Sequence, residues 1–328
     1  MTTNGRNFED DDHVRSAVPH RTIGRCHTRQ ALNMSSSKTV VLITGCSNGG
    51  IGFSLCEVFA GKGCTVYATA RKPEAMGDFS SDDIHKLTLD VTKEDEIKAV
   101  VDTVIEAEGQ IDILVNNAGI ANKGALIDIP MELWLQIYET NVFSIVRMSK
   151  AVIPHMAARK RGMIINVGSI LGQTPTPFSG VYASAKAAVH SITDTLYMEC
   201  APLNIEVVLL APGIVKSSIA RKAISNIPTM GTTSLYSDYT ASMGTTLATS
   251  FGRTAMETET FAQRVVDAVL RPKPPRYLTL APLAKTWSFF EWLPRAWVLQ
   301  YVWKVQGEGP RQITRGASQK SAYAVARG

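Results

Sequence analysis

From residue 39 onward, short apolar and β-branched runs alternate with longer stretches of helical periodicity. Runs at 39–44, 65–69, 84–89, 111–116, 163–167 and 205–210 predict strands. The stretches 51–61, 94–108, 131–158 and 182–200 predict helices, the third with Pro154 near its end. Strands this apolar suit a parallel sheet covered on both faces. The alternation predicts a doubly wound α/β fold, which binds its ligands at the carboxyl ends of the strands. After a proline-rich break, residues 277–280 predict a last strand, preceded by a helix at 262–270.

The remaining segments differ in character. Residues 1–37 are polar and aperiodic and predict a flexible extension. Arg15, Arg21, Arg25 and Arg29 there resemble a targeting pattern, but the acidic run Glu9 to Asp12 argues against a transit peptide. Residues 214–258 are rich in Ser, Thr, Met and Gly and predict a substrate lid, in which Met230 and Met243 are candidates to face an apolar ligand. Residues 281–304 hold Trp287, Trp292, Trp297 and Trp303, divided by Pro294. That extension suits two short helices at a lipid interface, or an aromatic cap on the core or a subunit contact. Residues 305–328 predict a loose basic tail.

Composition narrows the function. With 328 residues, 45% of them hydrophobic, the chain can bury one large core. A net charge of +5 with dispersed positives gives no nucleic-acid signature. Five cysteines without a CxxC pair fit a reducing, intracellular compartment. Cys46 reads as a small turn residue rather than a reactive thiol. The six histidines are scattered, and no metal site is expected.

The turn Thr44-Gly45-Cys46-Ser47-Asn48-Gly49-Gly50-Ile51-Gly52 lies between the first strand and its helix. Glycines there let the backbone approach a pyrophosphate, and the helix N-terminus attracts its charge. Candidate cofactor contacts are Gly45, Ser47, Asn48, Gly49, Gly50 and Ile51. The second strand ends in Ala70-Arg71-Lys72, with no carboxylate to accept the ribose hydroxyls of NAD. Arg71 suits the extra phosphate of NADPH/NADP+ instead. Asp90 is placed to hold an adenine amino group, or to cap the next helix. Val91 is placed to pack on the ring.

Tyr182 and Lys186 are spaced to share a helix face, with Ser169 upstream beyond an apolar run. A carbonyl accepting hydride needs a proton and donors aimed at its oxygen. Tyr182 supplies the proton and Ser169 orients the oxygen. Lys186 favours phenolate and can bind the nicotinamide ribose. Asn141 is a candidate to hold a water that links Lys186 to solvent. His190 offers a second general base, although an ordinary helix residue is the better reading.

Together these motifs resemble the short-chain dehydrogenase/reductase family over residues 38–280, a single Rossmann-type domain. Asn141, Ser169, Tyr182 and Lys186 match its catalytic tetrad. Asn116-Asn117-Ala118-Gly119 resembles its sheet-steadying element, which puts Asn117, Ala118 and Gly119 beside the cofactor. Pro212-Gly213, with Ile214, Val215 and Ser217, resembles its nicotinamide segment. The family turn is TGxxxGxG; here two residues separate Gly49 from Gly52, so Gly49 or Gly50 takes the middle place.

The opening Thr44 to Ser47, the stretch 67–71 and the aromatic extension are similar to the branch containing NADPH-dependent 1-acyldihydroxyacetone-phosphate reductases and hydroxysteroid dehydrogenase-like enzymes. That resemblance implies reduction of a lipid ketone to lysophosphatidic acid at lipid droplets or endoplasmic reticulum. The substrate expected is an apolar or acylated ketone, with peripheral lipid association and a homo-oligomer as candidate assemblies. Alternatives are a steroid, polyketide or other secondary-metabolite ketone or alcohol, and a non-catalytic dinucleotide-binding scaffold.

Overall fold

The computed structural model describes residues 38–219, 221, 234–240, 243, 252 and 254–307. The expectations for 1–37, for Met230 and for the tail from 308 lie outside the described residues.

The strands β1 (Val40–Thr44), β2 (Thr65–Ala70), β3 (Ile84–Thr88), β4 (Ile113–Asn116), β5 (Gly162–Val167), β6 (Ile205–Pro212) and β7 (Tyr277–Leu280) form one sheet in the order β3-β2-β1-β4-β5-β6-β7. Every pairing is parallel. Alternate residues serve opposite faces, as the pleat requires. Val41, Ile43, Val66, Ile113 and Val208 pack with Leu55 and Phe59 of α1 (Ile51–Gly61) and Phe261 and Val265 of α6 (Thr258–Val269). Leu42, Leu114, Ile164 and Val207 pack with Ile97 and Val101 of α2 (Glu94–Glu108) and Met148 and Val152 of α4 (Ser144–Ala158). Burial on both faces explains why the inner strands read as largely apolar runs, whereas the edge strand β3 is mostly exposed.

The stretch 131–158 is not one uniform helix. It divides into α3 (Met131–Tyr138), a π-helical turn (Glu139–Phe143) and α4. The π turn carries Asn141, which is wholly buried. Such turns often mark functional positions, and hydrophobic periodicity does not reveal them. The next helix, α5 (Gly180–Cys200), begins two residues before the expected Tyr182.

The segment after β6 is anchored by a parallel bridge between Val215 and Met256 and by Ser218 N–H donating to Gly49 O at 2.9 Å. Met243 is buried with Ala125 and Phe178, against Tyr236 and Tyr239. The C-terminal extension forms α7 (Ala284–Phe290) and α8 (Arg295–Val302), divided at Pro294, and a π turn through Gly307. No described helix is long and apolar enough to cross a membrane.

The tryptophans of this extension face different ways. Trp287 is buried with Ile170 and Ala284, and its Nε1 donates to Thr174 O at 3.0 Å. Trp303 meets the rings of Phe178 and Tyr239. Trp292 and Trp297 are 87% and 68% exposed.

Candidate active site

The strand order reverses between β1 and β4, which opens a crevice at their carboxyl ends. A cleft of about 880 Å³ occupies that end of the sheet. One side reaches Arg71, Asp90 and Val91; the other reaches Ser169, Tyr182, Leu283, Trp287 and Gln306.

The glycine turn fits a phosphate because its backbone is bare. A Cβ on Gly45 would lie 2.7 Å from Ala118 Cα, and one on Gly52 would lie 2.5 Å from Asn117 Nδ2. Gly50 immediately precedes α1 and also has no room for a Cβ, at 2.9 Å from Ser47 O. Gly49 has φ +68° and no neighbour within 4 Å of its Cβ position. The Gly50-Ile51-Gly52 triplet therefore occupies the tight part of the turn, and the longer loop accommodates its additional residue at Gly49. Gly45, Ser47, Gly50 and Ile51 line the cleft. Asn48 and Gly49 do not: both are exposed, and Asn48 N–H donates outward to Ala75 O at 2.8 Å. Cys46 is buried in the turn and donates its thiol to Ile43 O at 3.3 Å.

β4 braces this turn. Asn117 Nδ2 donates to Thr44 O at 2.8 Å and to Gly45 O at 3.0 Å. Thr44 Oγ1 accepts the N–H groups of Asn117 and Ala118, each at 3.0 Å. Asn116 Nδ2 donates to Asn166 Oδ1 at 2.8 Å and ties β4 to β5. Asn117, Ala118 and Gly119 all line the cleft, so their backbone faces it while the Asn117 amide shapes the turn. Pro212, Gly213, Val215 and Ser217 close the floor.

Asp90 does not cap α2, whose N-cap is Lys93. Its Oδ1 accepts the Thr92 N–H at 3.0 Å and the Thr92 hydroxyl at 2.8 Å. Burial raises the Asp90 pKa, but the Thr92 donors and the Arg71 and Lys93 charges outweigh it, so the group is held below its ordinary value. Arg71 is exposed at this end of the cleft, with its guanidinium available to a phosphate.

At the other end stand Ser169, Tyr182 and Lys186. Ser169 caps a short 3₁₀ turn and accepts Leu171 N–H at 3.1 Å. Lys186 is buried and donates its ammonium to Val167 O at 2.7 Å. Its Nζ lies 5.7 Å from the Tyr182 ring centroid. Burial pushes the Tyr182 phenol up to about 12, opposed by the Ser169 hydroxyl. Burial pulls Lys186 down to about 8. At neutral pH the pair is therefore phenol and ammonium, the state suited to protonating a developing alkoxide.

Asn141 does not line the cleft. Its Nδ2 donates to Ile120 O and its Oδ1 accepts Ile120 N–H, both at 2.8 Å. These paired bonds hold the loop after β4.

His190, read as an ordinary helix residue, and Gln306 both contribute to this end of the cleft. His190 Nε2 accepts the Ser169 N–H at 3.5 Å, and its ring fills the space beside Gly168 and Gly172. Burial first, then the Lys186 charge, pull its pKa down to about 4, so it is a neutral support rather than a general base. Gln306, expected in a loose tail, lines the cleft from the C-terminal π turn.

The sequence profile of the short chain dehydrogenase family matches residues 39–227. The chain belongs to that family. It is 36% identical over 188 residues to the NADPH-dependent 1-acyldihydroxyacetone phosphate reductase of Schizosaccharomyces pombe, covering 57% of this chain and 63% of that relative. This short-chain dehydrogenase also resembles a solved short-chain dehydrogenase from Streptomyces avermitilis, with TM-score 0.68, 27% identity and coverage of 83% and 99%. A serine dehydrogenase complexed with NADP+ superposes at TM-score 0.65, with 26% identity and coverage of 75% and 95%.

Proposed function

We propose that this dehydrogenase is an NADPH-dependent reductase of a lipid ketone, with 1-acyldihydroxyacetone phosphate as substrate and lysophosphatidic acid as product. The observation that carries the chemistry is the pairing of Tyr182 with the buried Lys186 beside Ser169 in the cleft. NADP(H) fits the cradle: the glycine positions leave backbone bare for the pyrophosphate, and Arg71 stands where the 2′-phosphate is expected. When bound, the nicotinamide supplies the hydride to the ketone carbon. Ser169 orients the ketone oxygen. Tyr182 transfers its phenolic proton to that oxygen as negative charge develops. Lys186 stabilises the phenolate left behind, and its bond to Val167 O keeps it in position.

Support for an acylated substrate comes from the Leu133, Ile170, Leu171 and Trp287 walls, and from the reductase relative. Phe289, Trp292, Trp297 and Tyr301 form an exposed aromatic set beside Lys285, Arg295 and Lys304, which suits peripheral attachment to a lipid droplet or endoplasmic reticulum surface. The test is NADPH oxidation with 1-acyldihydroxyacetone phosphate, with the product identified by mass spectrometry. Stoichiometric lysophosphatidic acid is expected. Turnover of steroid or polyketide ketones alone would move the enzyme to secondary metabolism. NADPH binding without oxidation of any ketone would leave a scaffold.

A further inference from the structure

Lys123 has no role in proton transfer, yet it is among the more unusual groups in the molecule. It follows β4 on the loop 120–125, where Gly124 N–H donates to Phe178 O at 2.9 Å. The residue is 5% exposed and lines the cleft together with Thr176 and Ser179. Its Nζ is sealed from solvent and has no hydrogen-bond partner among the described residues. Burial pulls its pKa down to about 8, which leaves it protonated at neutral pH.

An unpaired buried ammonium is costly, and folded chains rarely keep one without a counter-ion. Two further polar groups that line the same cleft also lack partners: Asn122 Oδ1 and Gln306 Oε1. Either amide can turn its NH₂ to the position its oxygen holds. One charged and two amide side chains, all from residues that line a single cleft, are thus left unsatisfied. That is the composition of a subsite for one oxyanion on an otherwise apolar molecule.

We propose that Lys123, assisted by Asn122 and Gln306, binds the anionic group of the ketone substrate, a phosphate monoester or a carboxylate. This deepens the lipid-ketone reading and rests on it for the identity of the molecule. It assigns specificity to the loop after β4 and to the C-terminal extension, rather than to the catalytic residues.

The test compares wild type, Lys123→Met and Lys123→Arg on 1-acyldihydroxyacetone phosphate and on the same ketone without its phosphate. Lys123→Met is expected to raise KM for the phosphorylated ketone about 10- to 100-fold, the usual weight of a charge-assisted hydrogen bond. It should leave kcat/KM for the uncharged ketone within about twofold by the same reasoning, and Lys123→Arg should recover part of the loss. An equal loss on both ketones, or none on either, would overturn the subsite. Calorimetry of the NADPH complex with lysophosphatidic acid and with palmitate supplies a readout independent of turnover. Weaker binding of one probe to Lys123→Met identifies phosphate or carboxylate as the partner. If neither ketone is reduced, the lipid-ketone reading fails, while these titrations still decide the subsite: unchanged affinity in Lys123→Met, or no binding to wild type, overturns it.

Discussion

The Lys186 ammonium donates to the backbone oxygen of Val167 at 2.7 Å, tying the last residue of β5 to the helix that carries Tyr182. The bond orients the lysine without neutralising it. Its charge therefore remains available to the phenol, whose ring centroid lies 5.7 Å from Nζ.

That arrangement sets the pH dependence. Lys186 titrates at about 8 and Tyr182 at about 12. Ketone reduction with an uncharged substrate should therefore fall as pH rises through about 8, while the phenol remains protonated. Stability should move the other way. The folded lysine binds its proton less tightly than the unfolded one, whose value is near 10.5, so the unfolded chain holds more protons across that window and stability rises with pH. Initial rates and urea midpoints between pH 7 and 10, set against Lys186→Met, check both limbs. A midpoint advantage of Lys186→Met that grows with pH would contradict the second.

Arg71 and Asp90 line one end of the cleft, where the Arg71 charge helps hold Asp90 ionised. Arg71→Asp should lower kcat/KM with NADPH by about 10- to 100-fold and shift preference toward NADH. Retained NADPH preference would assign the selectivity to another basic group.

The glycine turn offers a paired test of register. Gly52→Ala would drive a methyl to 2.5 Å from Asn117 Nδ2 and should cripple dinucleotide binding. Gly49→Ala meets open space and costs only the left-handed backbone penalty, about 1–2 kcal/mol. Fluorescence titration with NADPH should separate the two variants; equal affinities would contradict this register.

The exposed indoles can be tested without disturbing the cleft. Trp292→Ser combined with Trp297→Ser should weaken flotation with anionic liposomes and leave turnover of a soluble ketone unchanged. Trp287 is excluded from that variant because it lines the cleft. Unchanged flotation would assign the two indoles to another contact.

The sheet was legible because strands buried on both faces, such as 40–44 and 163–167, show as largely apolar runs. Ser169, Tyr182 and Lys186 were legible because their order follows a strand and a helical repeat. Other assignments depended on neighbours that only the fold supplies. Asn141 carries the expected residue type, but the π turn directs its amide to Ile120. Nothing in the sequence marks Lys123, whose burial without a hydrogen-bond partner only the fold supplies. The turn's two adjacent glycines were equivalent on paper and differ only in what surrounds each Cβ position. The aromatic extension left lipid-facing and packing roles open in the sequence; Trp287 packs inward and Trp292 is exposed.

The most direct measurement is single-turnover reduction by Tyr182→Phe, with NADPH affinity determined on the same preparation. Removal of the phenolic proton should slow the chemical step by about 10²- to 10⁴-fold while NADPH still binds with near wild-type affinity. A Tyr182→Phe protein that reduces the ketone at the wild-type rate would contradict the account.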